Sequence, residues 1–314
     1  MASVSTREGV GYMKSPLRIM VGVILLAGIM VVPNLAAQDG VKIYISADME
    51  GVTGVVTNEQ LGPEGFEYQR FRQFLTDEVI AAIEGAREAG ADEIVVSDSH
   101  GNGQNLLIDQ LPDNIQIIRS WPRPLGMMQG IDDTFDGVIM IGYHSSTTNP
   151  NGVRAHTNSS ARLSAVRLNG TEMSEGSLNA AIAGHFGVPV IMISGDDAVV
   201  KEVQSTLGNI EAAVVKWAYS FHSARTLHPS AGRTLIREKA RDAVGRIAEF
   251  LPYKPETPIK FDVTFKNYQP SQLLAYLPQV DRTDSHSIRF IGDDMIEVSR
   301  FFTFMMSYDS SLEP

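Results

Sequence analysis

The sequence predicts an α/β fold: a mostly parallel sheet with flanking helices, plus a smaller α+β C-terminal lobe. Three observations lead there. Short apolar runs alternate with helix-length periodic segments from Val41 onward, the pattern of a βα-layered chain. Pro252, Pro255 and Pro258 then punctuate a linker, after which the composition shifts. Finally, 314 residues with 43% hydrophobic content supply enough apolar material for a substantial core.

The first 37 residues stand apart. Arg7, Lys14 and Arg18 face only Glu8, an apolar run follows from Ile19 to Val32, and Pro33-Asn34-Leu35-Ala36-Ala37 closes the segment. A basic start, an apolar centre and a small-residue end are the three parts of a secretory signal peptide, with cleavage expected after Ala37. The run is shorter than the roughly 20 residues of a spanning helix, so an uncleaved membrane anchor is the minor alternative. The expected product is exported, periplasmic or secreted, with its formal charge moved from −11 to −13 by the loss of three bases and one acid.

In the remaining chain, strands are expected at Lys42–Ala47, Glu93–Ser97, Gly137–Gly142, Val188–Ser194 and Ala212–Trp217. Between the first two, Phe71, Phe74, Leu75, Val79, Ile80, Ile83 and Ala86 recur near helical spacing, so Tyr68–Ala89 reads as a helix with Gly90 at its end. Further helices are expected over Ser174–His185 and Ser230–Phe250. Residues 38–251 thus form the expected catalytic domain, and 252–314 the smaller lobe. In that lobe Ile259–Phe265 alternates like a half-buried strand, Ser287–Ile291 is a second strand, and Met295–Ser307 a final helix.

Composition narrows the chemistry. A pI near 5.1 disfavours nucleic acid as a partner, because an acidic surface repels the phosphates that supply most non-specific affinity. With no cysteine, disulfide frameworks, thiolate metal sites and a Cys nucleophile are excluded, so any metal must be held by His and carboxylate ligands. Gly101-Asn102-Gly103 lacks the third glycine of a dinucleotide fingerprint, and no phosphate-binding Gly-Lys-Ser/Thr loop is present.

The chemistry concentrates at strand ends. Asp48 and Glu50 follow the first strand at spacing i, i+2, which points both carboxylates to one face. Asp98 and His100 repeat that spacing after the second, and His144 follows the third. An isolated Asp-x-Glu is ordinarily a solvated loop. Ligands in open α/β sheets, however, bind outside the carboxyl ends of strands, and three such ends carry His or carboxylate here. His156, in a Gly/Asn/Ser-rich stretch, and Glu175, in the first turn of a helix, join the candidates. Glu175 has a competing role there in complementing the helix dipole. The remaining histidines, His185, His222, His228 and His286, read as solvated or capping, and the pair Asp196-Asp197 as a fold-stabilising element.

The set Asp48-Met49-Glu50-Gly51, Asp98-Ser99-His100, Gly142-Tyr143-His144, Ala155-His156 and Ser174-Glu175-Gly176 resembles the DppA-type D-aminopeptidases, zinc-dependent bacterial peptidases. Gly195-Asp196-Asp197 and Ala213-Val214-Val215-Lys216 extend the likeness, which runs in order from about Lys42 into the C-terminal lobe. The resemblance implies two zinc ions per chain, with Asp48 bridging them and Glu50, His100, His144 and Glu175 as the other ligands. It implies His156 as the catalytic residue, nucleophile or base, and a homo-oligomeric ring. The substrate it implies is a short peptide, with D-alanine peptides of the cell wall in reach of an exported enzyme. Two other functions fit the same residues: a metal-dependent hydrolase of other amides or phosphoesters, and a non-catalytic exported protein that binds a peptide or a metal.

Overall fold

The structure is a computed structural model, and it describes residues 40–308. The targeting segment expected over residues 1–37 lies outside them. Among the described residues, no helix is long and apolar enough to cross a membrane.

The chain begins with β1 (Val41–Ala47), crosses through α1 (Tyr68–Glu88) to β2 (Ala91–Asp98), and continues through β3 (Gln116–Ile118) to β4 (Gly137–Tyr143). A hairpin, β5 (Leu163–Leu168) and β6 (Thr171–Glu172), then leads into α2 (Glu175–His185). Next come β7 (Val190–Asp196), α3 (Asp197–Leu207), β8 (Glu211–Ser220), β9 (Ser223–Thr226) and α4 (Pro229–Gly245). The C-terminal stretch adds β10 (Ile259–Phe265), α5 (Tyr268–Leu274), β11 (Val280–Arg282), β12 (Ser287–Gly292) and α6 (Met295–Ser307).

Two sheets result. The first has the order β3-β2-β1-β4-β7-β8-β9 and is parallel except for β9. Its central strands are buried throughout, as a sheet covered on both faces requires. The second has the order β11-β12-β10-β5-β6 and is antiparallel. The mixed α/β class is the one the sequence predicts.

The expected boundary at residue 251 does not separate the sheets. β10 pairs with β5, Phe261 opposite Leu168 and Val263 opposite Val166, so the C-terminal strands complete a sheet that the preceding segment starts. Leu163, Val166, Phe261 and Val263 are all buried on that sheet's inner face, and neither pair of strands could bury them alone. The helix expected over Ser230–Phe250 ends at Gly245, with a separate short turn at Ile247–Glu249. α3 is an element that the strand-end reading of Asp196-Asp197 passes over. Asp196 caps it by accepting from the Val199 amide at 2.8 Å, which is the fold-stabilising role expected of that pair.

The topology fixes where a site can sit. From β1 the chain moves outward to β2 and β3, then returns to the other side of β1 as β4. The sheet order reverses there, and the carboxyl ends of β1, β2 and β4 open onto one crevice. Two glycines let the segment after β1 lie directly on β4. A Cβ on Gly142, whose φ is +73°, would stand 2.1 Å from the Asp48 carbonyl oxygen, and one on Gly51 would stand 2.0 Å from that of Tyr143. Hydrogen bonds from the Asp48 amide to Ile141 (2.8 Å) and from the Gly51 amide to Gly142 (2.6 Å) lock the contact.

Candidate functional site

Asp48 and Glu50 leave the end of β1 and are almost completely buried. His100 arrives from β2, His144 from β4, His156 from the loop that follows β4, and Glu175 from the first residue of α2. The structure brings all six together. His100 Nδ1 lies 3.2 Å from Asp48 Oδ1 and 2.9 Å from Glu50 Oε2. His144 Nε2 lies 3.3 Å from Asp48 Oδ2 and 3.4 Å from Glu175 Oε1. His156 Nε2 stands farther out, 3.7 Å from Glu175 Oε1 and 4.0 Å from Glu50 Oε1, with its ring stacked on that of His144 at 4.0 Å.

Each imidazole is oriented by a backbone carbonyl on its far side. His100 donates from Nε2 to Leu61 at 2.7 Å, His144 from Nδ1 to Ser145 at 3.1 Å, and His156 from Nδ1 to Arg154 at 2.8 Å. The nitrogen left facing the carboxylates is therefore the unprotonated one in each neutral ring, which is how ligating histidines are usually held. Glu175 does not act on its own helix. Ser174 caps α2 by accepting from the Ser177 amide, and Glu175 instead turns to the histidines and accepts from the Asn158 amide at 2.7 Å.

Electrostatics describe a site with surplus negative charge. Burial, reinforced by the neighbouring Glu50 carboxylate, raises the Asp48 carboxyl above its ordinary value. Burial also opposes the charge on Glu50, but His100, followed by His144 and His156, holds that carboxyl well below its ordinary value. The same opposition runs through the histidines: burial disfavours their charge, yet Glu50 and Asp48 hold His100 high, and Glu175 and Asp48 hold His144 high. Such a cluster holds protons where a cation would otherwise stand.

The donor set fits metal. Asp48 Oδ2, Glu50 Oε2 and His144 Nε2 are buried without a hydrogen-bond partner, although they stand within ion-pair distance of one another's groups. Asp48, Glu50 and His100 offer ligand atoms that all lie within 4.8 Å of one another, and so do Asp48, His144 and Glu175. Glu50, His144 and His156 form a third such set, so Asp48, Glu50 and His144 each stand in two of the three, and Asp48 is the residue common to the first two. All the ligand atoms are nitrogen and carboxylate oxygen, a mixture suited to zinc.

Three side chains around the site act as its supports. Among the described residues, Asp98 belongs to no metal-ligand cluster. It accepts from the Asn105 and Leu106 amides at 2.6 and 2.8 Å, and the Asn105 side chain in turn holds the His100 carbonyl. Lys216, fully buried in β8, donates from Nζ to the carbonyls of Glu50, Val52 (3.2 Å) and Val55 (2.8 Å), so its ammonium clamps the loop that carries Glu50. Burial lowers its pKa to about 8. Asp196 accepts from the Val153 amide at 2.7 Å and anchors the start of the His156 loop. A lysine inside an apolar strand was a visible signal; its partners, more than 160 residues away, were not. The other histidines stay clear of the crevice: His228 caps α4, and His185 is exposed at the end of α2.

A family model described as D-aminopeptidase, peptidase family M55, matches residues 41–304. The chain belongs to that family. A D-aminopeptidase of Bacillus subtilis (strain 168) is 31% identical to it over 260 residues, 82% of this chain and 93% of the relative. Among solved structures, the "Zn-dependent D-aminopeptidase DppA from Bacillus subtilis, a self-compartmentalizing protease" superposes with a TM-score of 0.82 at 29% identity, over 86% of this chain and all of that one. This D-aminopeptidase family member is thus a metallo-aminopeptidase in fold and kinship, and the crevice at the ends of β1, β2 and β4 is the place in it where His and carboxylate side chains converge.

Proposed function

We propose that this chain is an exported, zinc-dependent D-aminopeptidase that holds two zinc ions and releases N-terminal residues from short peptides. The observation that carries the reading is Asp48, which stands in two sets of converging ligand atoms at once. Asp48, Glu50 and His100 would hold one ion, and Asp48, His144 and Glu175 the other. Bound zinc supplies Lewis acidity toward the scissile carbonyl and acidifies water. The chain's own residues do the rest. The imidazole of His156, the least buried of the six, exposes Nε2 to the crevice and moves a proton at that atom, as base toward the attacking group or as acid toward the leaving amine. Glu50 Oε1 and Glu175 Oε1 stand 4.0 and 3.7 Å from that nitrogen.

The substrate proposed is a peptide with a D-residue at its N-terminus, D-alanine peptides of the cell wall among them, which the basic-apolar-small pattern of residues 1–37 would bring within reach. The proposal extends to assembly of several copies, supported by the self-compartmentalizing relative. The test is elemental analysis of the mature protein beside hydrolysis of D-Ala and L-Ala p-nitroanilides and a phosphoester, with and without chelator. About two zinc ions per chain and chelator-sensitive release from the D-substrate are expected. Cleavage of the phosphoester alone would reassign the site. N-terminal sequencing should begin at Gln38, an intact Met1 in membranes would make the protein an anchored one, and light scattering at the monomer mass would remove the assembly.

A further inference from the structure

Beside the metal-ligand cluster lies a cavity of about 390 Å³ that Asp48, Glu50, His100, His156 and Glu175 line at one end. Much of the rest of its lining is apolar, with Leu178 and Ile182 of α2, Phe261 of β10, and Val298, Phe302 and Met306 of α6. We propose that this cavity is the side-chain pocket for the N-terminal residue of the substrate, and that it selects apolar residues larger than alanine. The inference rests on the aminopeptidase reading and deepens it.

Two features of the wall carry the assignment. Three polar side chains of α2 and α6 in its lining have their donors engaged within the protein: Ser299 donates to the Pro124 carbonyl (3.1 Å), Thr303 to the Arg123 carbonyl (3.1 Å), and Asn179 to the Tyr143 hydroxyl (2.8 Å) and the Met127 sulfur. Among the described residues, no lysine or arginine lines the cavity, and the carboxylates that do are Asp48, Glu50 and Glu175 of the metal-ligand cluster. A leaving peptide brings backbone amides and, in a dipeptide, a carboxylate, and such groups enter an apolar wall only at a large desolvation cost. An aliphatic or aromatic side chain enters with a gain that grows with its buried area. The cavity therefore receives the side chain, and the leaving peptide exits toward solvent. A methyl group leaves most of 390 Å³ unfilled.

The mature zinc-loaded enzyme should be assayed with D-Ala-Gly, D-Leu-Gly, D-Phe-Gly, D-Glu-Gly and D-Lys-Gly, reading released glycine. The kcat/KM for D-Leu-Gly should exceed that for D-Ala-Gly by about tenfold or more, since one added methylene in an apolar pocket is worth about tenfold. Both charged dipeptides should fall below D-Ala-Gly. Free D-leucine should likewise inhibit more tightly than free D-alanine, a binding readout independent of turnover. Val298→Phe should shrink the pocket and reduce the ratio of D-Phe-Gly to D-Ala-Gly turnover about tenfold; Met306→Phe, at a less buried position, serves if the first variant does not fold. Rates that fall steadily from alanine through leucine to phenylalanine, or a ratio unmoved in both folded variants, overturn the pocket while leaving the aminopeptidase intact. Silence on every dipeptide of the panel and on L-Ala-Gly and L-Leu-Gly run beside it overturns the aminopeptidase reading and this inference with it.

Discussion

His144 and His156 stack face to face, 4.0 Å apart, yet their surroundings assign them different work. His144 is buried with Nε2 between Asp48 and Glu175, whereas His156 keeps Nε2 at the cavity and is farther from every carboxylate. His156→Ala should therefore retain zinc and lose about 10²- to 10⁴-fold in kcat, the usual weight of a general acid or base. Its membership of a third converging set with Glu50 and His144 gives the competing outcome: zinc lost together with activity would make it a ligand. Asp48→Asn should cost more metal than His100→Ala, because Asp48 serves both sets. Away from the cluster, burial raises the Glu78 carboxyl from 4.5 to about 7. The folded chain thus binds a proton between those values that the unfolded chain releases. Its contribution to stability is complete below pH 4.5 and is lost as pH rises through about 7, on the order of 3 kcal/mol in all. Glu78→Gln keeps an acceptor for the Thr53 amide, now 2.9 Å away, and removes the titration. Urea unfolding at pH 5 and pH 8 should show the variant gaining on the parent at the higher pH, and parallel profiles would exclude the linkage.

At the scale of elements, the site is made by strand ends and held by long-range clamps, and the two differ in legibility. Asp48, Glu50, His100 and His144 could be read from the sequence because each follows an apolar run within a few residues, so strand periodicity alone puts them at one edge of a sheet. The clamps could not. The Leu61 carbonyl that orients His100, the Lys216 ammonium under the Glu50 loop and the Asp196 carboxylate on the His156 loop act across sequence separations that no local pattern encodes. β5 was hidden for a related reason, since its partner β10 lies nearly a hundred residues on and the stretch before it is rich in Gly, Asn and Ser. The helix α6 was legible as a helix, but not as a wall of the site. Lys216→Met tests the clamp at β8. It leaves three buried carbonyl oxygens with no ammonium, so we expect a loss of about 3–5 kcal/mol in stability. A weaker zinc affinity in the folded fraction should accompany it, because Glu50 is carried by one of those carbonyls. Unfolding coupled with zinc titration measures both, and wild-type zinc affinity in the variant would reduce Lys216 to a packing role.

For the whole molecule, the metal-ligand cluster is the joint between parts that are far apart in the chain. Asp48 and Glu50 come from near the start of the described residues, and Glu175 opens α2, which packs against α6 near their end. Clustered carboxylates at the end of a buried parallel sheet repel one another without a counter-cation; burial and that repulsion raise the Asp48 carboxyl, and the carboxylates hold His100 and His144 high against burial. Zinc binding should then stabilise the fold globally and release protons as it does so. At free zinc a hundredfold above its dissociation constant, linkage adds about 2.7 kcal/mol, which for a chain of this size is a rise of roughly 4–5 °C in thermal midpoint. Scanning calorimetry of chelated and zinc-reloaded protein measures that rise. Asp48→Asn should remove most of it, since the carboxylate common to the two proposed zinc sites is lost, whereas His156→Ala should keep it. A midpoint indifferent to zinc in the parent protein would mean that the converging ligands do not bind the ion in the folded state, and the two-metal reading would fall with it.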